Sequence, residues 1–131
     1  MSKARRLRME SLISRLVTIG LDEAGEPRQR TLGDIGPDEA RIALDWQVVL
    51  VKRLGEEARS AAEFAKSRQT EADAASVPQQ TIDSAIEMLT AMKDEYARLV
   101  ALADVLQAAA APWERDPALN LRQAIRRYWR R

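Results

Sequence analysis

The sequence predicts an all-α fold: a long antiparallel helical hairpin with two flanking amphipathic helices, together a small helical bundle. Three observations predict it. Two long stretches, 37–68 and 79–111, carry apolar side chains at helical spacing. A polar, Ala/Gln/Ser-rich segment with one proline separates them, and that short connection calls for antiparallel neighbours. Alanine is abundant and favours helix, while three Trp, two Tyr and one Phe leave the core to aliphatic side chains.

At 131 residues the chain has the length of one domain. It is read as a single helical domain over 1–131, with a basic N-terminal arm (1–8) and a basic C-terminal amphipathic helix (117–131). The first helix is placed at 3–19 on the stripe Met9, Leu12, Ile13, Leu16, Val17, with Gly20 as its stop. Arg5 and Arg6 fall on the same side of the wheel as that stripe. The stripe therefore ends there, and the arm is expected to order only against something acidic. Residues 21–36 hold three of the five glycines and Pro27 and read as a loop, with Leu32 and Ile35 as a short hydrophobic plug.

The second helix opens with Gly36 as N-cap, Pro37 at the first position, and Asp38 and Glu39 where the helix dipole favours anions. It runs to about 68, or as far as 75. Ile42, Trp46, Val49, Leu50, Ala61 and Phe64 form one broad face, and Leu44, Val48 and Val51 lie on the other side. Residues 42–54 are thus apolar nearly all round, which predicts a central helix covered by two neighbours, with Trp46 in the core. QVVLV alone suits a strand. Helix formers flank it and no second strand offers a partner, so it is read as helix.

Residues 69–80 read as the interhelix turn. The third helix, 79–111, carries the stripe Ile82, Ala85, Leu89, Met92, Tyr96, Leu99, Ala103, Leu106 and a second ridge of Ile86, Val100 and Val105, and Pro112 ends it. Asp116 and Pro117 then start a fourth helix, 117–131. Its apolar face is Leu121, Ala124, Ile125, Tyr128 and Trp129. Arg122, Arg126, Arg127, Arg130 and Arg131 occupy the opposite arc.

The chain contains no Cys and no His, which removes thiolate and imidazole chemistry, disulfides and sulfur metal sites. The glycines at 20, 25, 33, 36 and 55 form no phosphate loop. The carboxylate pairs Glu56/Glu57 and Asp94/Glu95 are adjacent residues that point different ways on a helix. No enzymatic activity, cofactor or metal is expected. The basic start is followed by Glu10 and Arg15 rather than an uncharged stretch, so the expected location is cytoplasmic.

Charge is the feature above background. Residues 1–19 set five cations against Glu10 for +4, and residues 113–131 set six against Glu114 and Asp116 for +4; with a total of +1, the middle carries −7. The candidate nucleic-acid-binding residues are Arg5, Arg6, Arg8, Arg122, Arg126, Arg127, Arg130 and Arg131, with Tyr128 and Trp129 available to stack on bases. One reading is a non-enzymatic subunit of a larger nucleoprotein assembly that grips a phosphate backbone without reading sequence. The other is a protein–protein adaptor, scaffold or inhibitor whose arginines grip an acidic partner. Protein partners or self-association are expected on either reading, and a membrane partner is not. A helix-turn-helix over 10–45 would need a very short second helix. In outline, a small helical hairpin with basic ends resembles several kinds of assembly component: the small helical subunits of CRISPR effector complexes, the small terminase subunits and scaffold proteins of tailed phages, and export-apparatus stalk proteins. No motif carries a residue role across from any of them.

Overall fold

The structure is a computed structural model that describes residues 2–71 and 79–130, apart from the side chains of 68–71. It is 77% helix, with four α-helices and a small two-stranded sheet. The elements in chain order are α1 (Lys3–Ile13), β1 (Leu16–Leu21), β2 (Pro27–Thr31), α2 (Pro37–Glu71), α3 (Gln79–Arg115) and α4 (Leu121–Trp129). The expected turn at 69–80 falls largely outside the described residues, as does Arg131. The backbone divides into two compact units, 1–46 with 99–131, and 47–98.

The mostly helical structure is broadly consistent with the expected all-α bundle, and the small two-stranded sheet is an addition that the sequence reading did not include. α1 stops at Ile13 with Ser14 as its C-cap, and 16–21 leave the helix for an antiparallel pairing with 27–31, in the register Leu16↔Thr31, Val17↔Arg30 and Thr18↔Gln29. Val17, Thr18 and Ile19 are β-branched and favour the pleated backbone. The turn is built by Asp22, whose Oδ1 accepts from the backbone N–H of Ala24 and of Glu26, both at 2.9 Å, and by Gly25 at φ +82°. Gly20 is not a helix stop. At φ +129° it sits within β1, where the register shifts between Thr18 and Leu21. The hairpin also removes the helix-turn-helix reading of 10–45.

The plug at 32–35 is present. A single 3-10 turn over Leu32–Asp34 buries Leu32, and Ile35 is buried beside it. Gly33 permits a close approach here: a Cβ at this position would crowd the Ile13 carbonyl oxygen at 3.0 Å and displace the Arg122 guanidinium at 2.7 Å. Around this plug the first unit assembles one continuous core of Met9, Ile13, Ile19, Ala40, Ala43, Leu102, Val105, Ala109, Trp113, Leu121 and Ile125, among others.

Three expectations about this unit are corrected. Pro112 does not end α3. It lies buried inside the helix, which closes with the Asp116 N–H donating to the Pro112 carbonyl at 3.0 Å. Trp113 is the anchor that holds this last turn, with its indole N–H donating to the Leu119 carbonyl at 2.9 Å in a buried site. The fourth helix starts at Leu121, not at Pro117. Asn120 caps it in a reciprocal capping box with Gln123, and Asp116 instead shapes a turn by accepting from the Ala118 N–H at 3.2 Å. Finally, Trp46 is 37% exposed and Ile42 is exposed beside it, while Ala40 and Ala43 take the buried positions. The wheel offers two apolar faces on this helix. The face with the small side chains permits the closer backbone approach and is the one buried.

The unit 47–98 comprises the C-terminal part of α2 and the N-terminal part of α3. Its half-buried residues are Gln47, Val48, Val51, Leu54, Gly55, Ala61 and Ala65 on α2, and Thr81, Ala85, Met88, Ala91, Met92 and Glu95 on α3; on α3 the set 81, 85, 88, 92, 95 keeps a 3.5-residue period. Gln47 donates through Nε2 to the Glu95 carbonyl at 2.9 Å and to Glu95 Oε2 at 2.7 Å. Ala58, 8% exposed, is the one buried residue among the described residues of this unit. Val49, Leu50 and Phe64, expected in the core, are exposed, as are Ile82, Leu89 and Tyr96 of the expected α3 stripe. The 42–54 segment is therefore not a helix covered on both sides.

Candidate functional site

Both basic ends of the chain belong to the first unit, and α1 and α4 meet there. Ser2 caps α1 by accepting from the Arg5 N–H at 3.2 Å, so the expected arm is mostly helix. Arg5 donates through Nη2 to Asp104 Oδ1 at 2.9 Å. That hydrogen bond and the carboxylate's charge hold the Arg5 guanidinium above its ordinary range, with Tyr128 of α4 a smaller contributor. The acidic group that was to order this segment is thus supplied from within the chain, by α3. Arg6 stands over the Trp129 ring, 5.0 Å from its centroid, a geometry in which the cation meets the negative face of the indole.

α4 presents its apolar face inward as its pattern requires. Leu121, Ala124 and Ile125 are buried, and Tyr128 and Trp129 pack partly buried against the same core. The indole N–H of Trp129 is buried and has no hydrogen-bond partner. Arg122 does not project freely: it donates to Asp34 Oδ1 at 2.5 Å. Arg127 lies 3.7 Å from Asp116 Oδ2.

The eight candidate arginines therefore separate by their partners. Arg5, Arg122 and Arg127 each face a carboxylate of the same chain. Arg6 is committed to an indole. Arg8, Arg126 and Arg130 are exposed and make no ion pair among the described residues. Arg126 and Arg130 are spaced i,i+4 and share one face of α4. Arg131 lies outside the described residues. No protein-family model, no curated protein and no solved structure matches the chain. No helix among the described residues is long and apolar enough to cross a membrane.

Sequence reasoning missed the neutralising partners Asp34, Asp104 and Asp116. They lie 88, 99 and 11 positions from their arginines, and no local pattern signals the first two pairings. It also took α3 to bury Ile82, Leu89 and Tyr96. The signal that separates these residues from the buried ones is the offset between two heptad registers one residue apart.

Proposed function

We propose that this chain is a non-enzymatic helical subunit of a larger nucleoprotein assembly, contacting a nucleic-acid backbone without sequence preference through Arg8, Arg126 and Arg130. The observation that carries this reading is the meeting of α1 and α4, with Arg6 on Trp129, which joins basic segments from opposite ends of the sequence. After the internal ion pairs are formed, Arg8, Arg126 and Arg130 remain as uncommitted cations. Forked guanidinium donors suit phosphate oxygens. The absence of Cys and His supports a role without catalysis. Within the same reading, the parts of α2 and α3 in the unit 47–98 form an antiparallel hairpin. Two pairings support that hairpin: Gln47 meets Glu95, and Gly55 meets Met92, so the partners step in opposite directions along the chain.

The experiment is binding of single- and double-stranded nucleic acid across a salt series. Log K should fall linearly with log salt, with a slope of roughly −0.7 to −0.9 per phosphate neutralised. The double substitution Arg126→Ala, Arg130→Ala should flatten that slope by about one to two units and weaken all sequences alike. An unchanged affinity and slope in that variant defeats the proposal.

The second reading, a protein–protein adaptor or scaffold, is favoured by a separate observation: the exposed apolar side chains of the unit 47–98. On that reading the same double substitution loses an acidic protein partner and leaves no salt-linked nucleic-acid binding to measure.

A further inference from the structure

The three arginines that face a carboxylate of their own chain are not held alike. Arg5 donates to Asp104 at 2.9 Å. Arg122 donates to Asp34 at 2.5 Å, with its guanidinium lodged over Gly33. Arg127 Nη1 lies 3.7 Å from Asp116 Oδ2, beyond hydrogen-bond range, and the two side chains are 52% and 40% exposed. Within this loose pair the carboxylate is the fixed member. Asp116 Oδ1 accepts from the Ala118 N–H in the turn that leads into α4, so the turn itself aims Oδ2. Arg127 is the movable member, a long side chain at an exposed position one turn from the helix end.

Arg127 also has company. At about 100° per residue, Arg126, Arg130 and Arg127 fall on one arc of α4 about 100° wide. The first two are exposed and make no ion pair among the described residues. Residues 113–131 hold six arginines and two acids, Glu114 and Asp116, and Asp116 reaches this arc. A half-exposed pair without a hydrogen bond adds little to stability, and an Asn at 116 would keep the bond to Ala118. The charge of Asp116 is therefore better accounted for by its effect on α4 than by its part in the turn.

We propose that Asp116 withholds Arg127 from a phosphate-binding set made of Arg126, Arg127 and Arg130, and so limits affinity for a nucleic-acid backbone. The inference rests on the nucleic-acid reading above and adds a restraining group to that site. A carboxylate and a phosphate offer a guanidinium the same kind of acceptor. The carboxylate is tethered beside it, so it competes at a local concentration that a free ligand does not reach. The contact withheld is worth about five- to eightfold in affinity at 0.1 M salt relative to 1 M, from a counterion-release slope of roughly 0.7–0.9.

The test measures binding of a mixed-sequence single strand and its duplex to the full chain across a salt series. Asp116→Asn should tighten binding by about five- to eightfold at 0.1 M salt and steepen the slope of log K against log salt by about 0.7–0.9, with an unchanged helical circular dichroism spectrum. Adding Arg127→Ala to Asp116→Asn should remove both the gain and the extra slope. Asp34→Asn makes the same charge change beside Arg122 and should give less, because Arg122 stays lodged over Gly33. If Asp116→Asn binds like the unaltered chain, the inference falls while the nucleic-acid reading stands. A gain that survives Arg127→Ala, or one that Asp34→Asn equals, comes from net charge and also overturns it. An unaltered chain with no salt-dependent binding overturns the nucleic-acid reading, and this inference with it.

Discussion

The unit 1–46/99–131 and the unit 47–98 draw on similar apolar material and use it differently. In the first, residues from α1, β1, the 3-10 turn, α2, α3 and α4 converge, so that Leu32, Ile35, Leu121 and Ile125 are fully buried. In the second, stretches of two helices meet along a narrow seam that includes alanine, glycine, methionine, valine and Leu54, and Val49, Leu50, Phe64, Ile82, Ile86, Leu89 and Tyr96 stay exposed. Two helices have a single shared line of contact, whereas several elements arriving from different directions can enclose a volume. Stability in the first unit should therefore be concentrated in a few large side chains. In the second it should rest on backbone hydrogen bonds, helix propensity and small close contacts.

The largest effects should separate the units cleanly. Leu121→Ala and Ile125→Ala each remove a fully buried side chain from a closed core and should destabilise by about 2–5 kcal/mol. Val49→Ala, on an exposed position of α2, should stay within about 0.5 kcal/mol. Denaturant midpoints at an unchanged slope would measure both. Equal losses at Ile125 and Val49 would break the comparison.

The three tryptophans sharpen it. Trp113 is 8% exposed and its N–H is bonded to the Leu119 carbonyl. Trp113→Phe strands that carbonyl and should cost about 1–3 kcal/mol. Trp129 has a buried N–H with no partner, so Trp129→Phe removes an unsatisfied donor and should cost less than about 1 kcal/mol or stabilise. Trp46→Ala should cost less than the roughly 3–5 kcal/mol of a buried aromatic truncation. Thermal unfolding should show a larger loss for Trp113→Phe than for Trp129→Phe, and a loss for Trp46→Ala below that of a buried aromatic truncation.

The helices were legible where a local signal exists. Pro37 with Asp38 and Glu39 marks the start of α2, and the inward face of α4 follows from its periodicity. The Leu32/Ile35 plug is also readable. The β-hairpin was not legible because Leu16 and Val17 happen to continue the helical stripe of α1, and because PRQRT has no apolar alternation to announce a strand. The burial of α2 and α3 was misjudged for a different reason. Periodicity finds apolar faces but cannot choose between two of them, and here Ala40 and Ala43 on α2, and Ala85, Met88 and Met92 on α3, took the buried or half-buried positions rather than the side chains at 42, 46, 82 and 89. At the candidate site, the positions of the arginines are visible in sequence. Their sorting into paired and unpaired sets depends on Asp34 and Asp104, which reach them through the tertiary fold.

Ion pairs extend the same contrast at the smallest scale. In the first unit, Arg122 and Asp34 join across 88 residues at 2.5 Å. In the second, two ion pairs are local: Arg53 with Glu57 at 3.6 Å, i,i+4, and Arg98 with Glu95 at 2.9 Å, i,i+3. A local pair also forms in fragments of helix within the unfolded ensemble, so folding gains little from it. A long-range pair is absent until the tertiary fold exists, and its full value appears in the folding equilibrium, reduced by solvent because both side chains are partly exposed. A double-mutant cycle on Arg122 and Asp34 should therefore give a coupling of up to about 1 kcal/mol, and one on Arg53 and Glu57 about 0.3 kcal/mol. Both should shrink as salt is added. If the Arg53/Glu57 coupling equals or exceeds that of Arg122/Asp34, ion pairing does not distinguish the two units, and the closed core alone separates them.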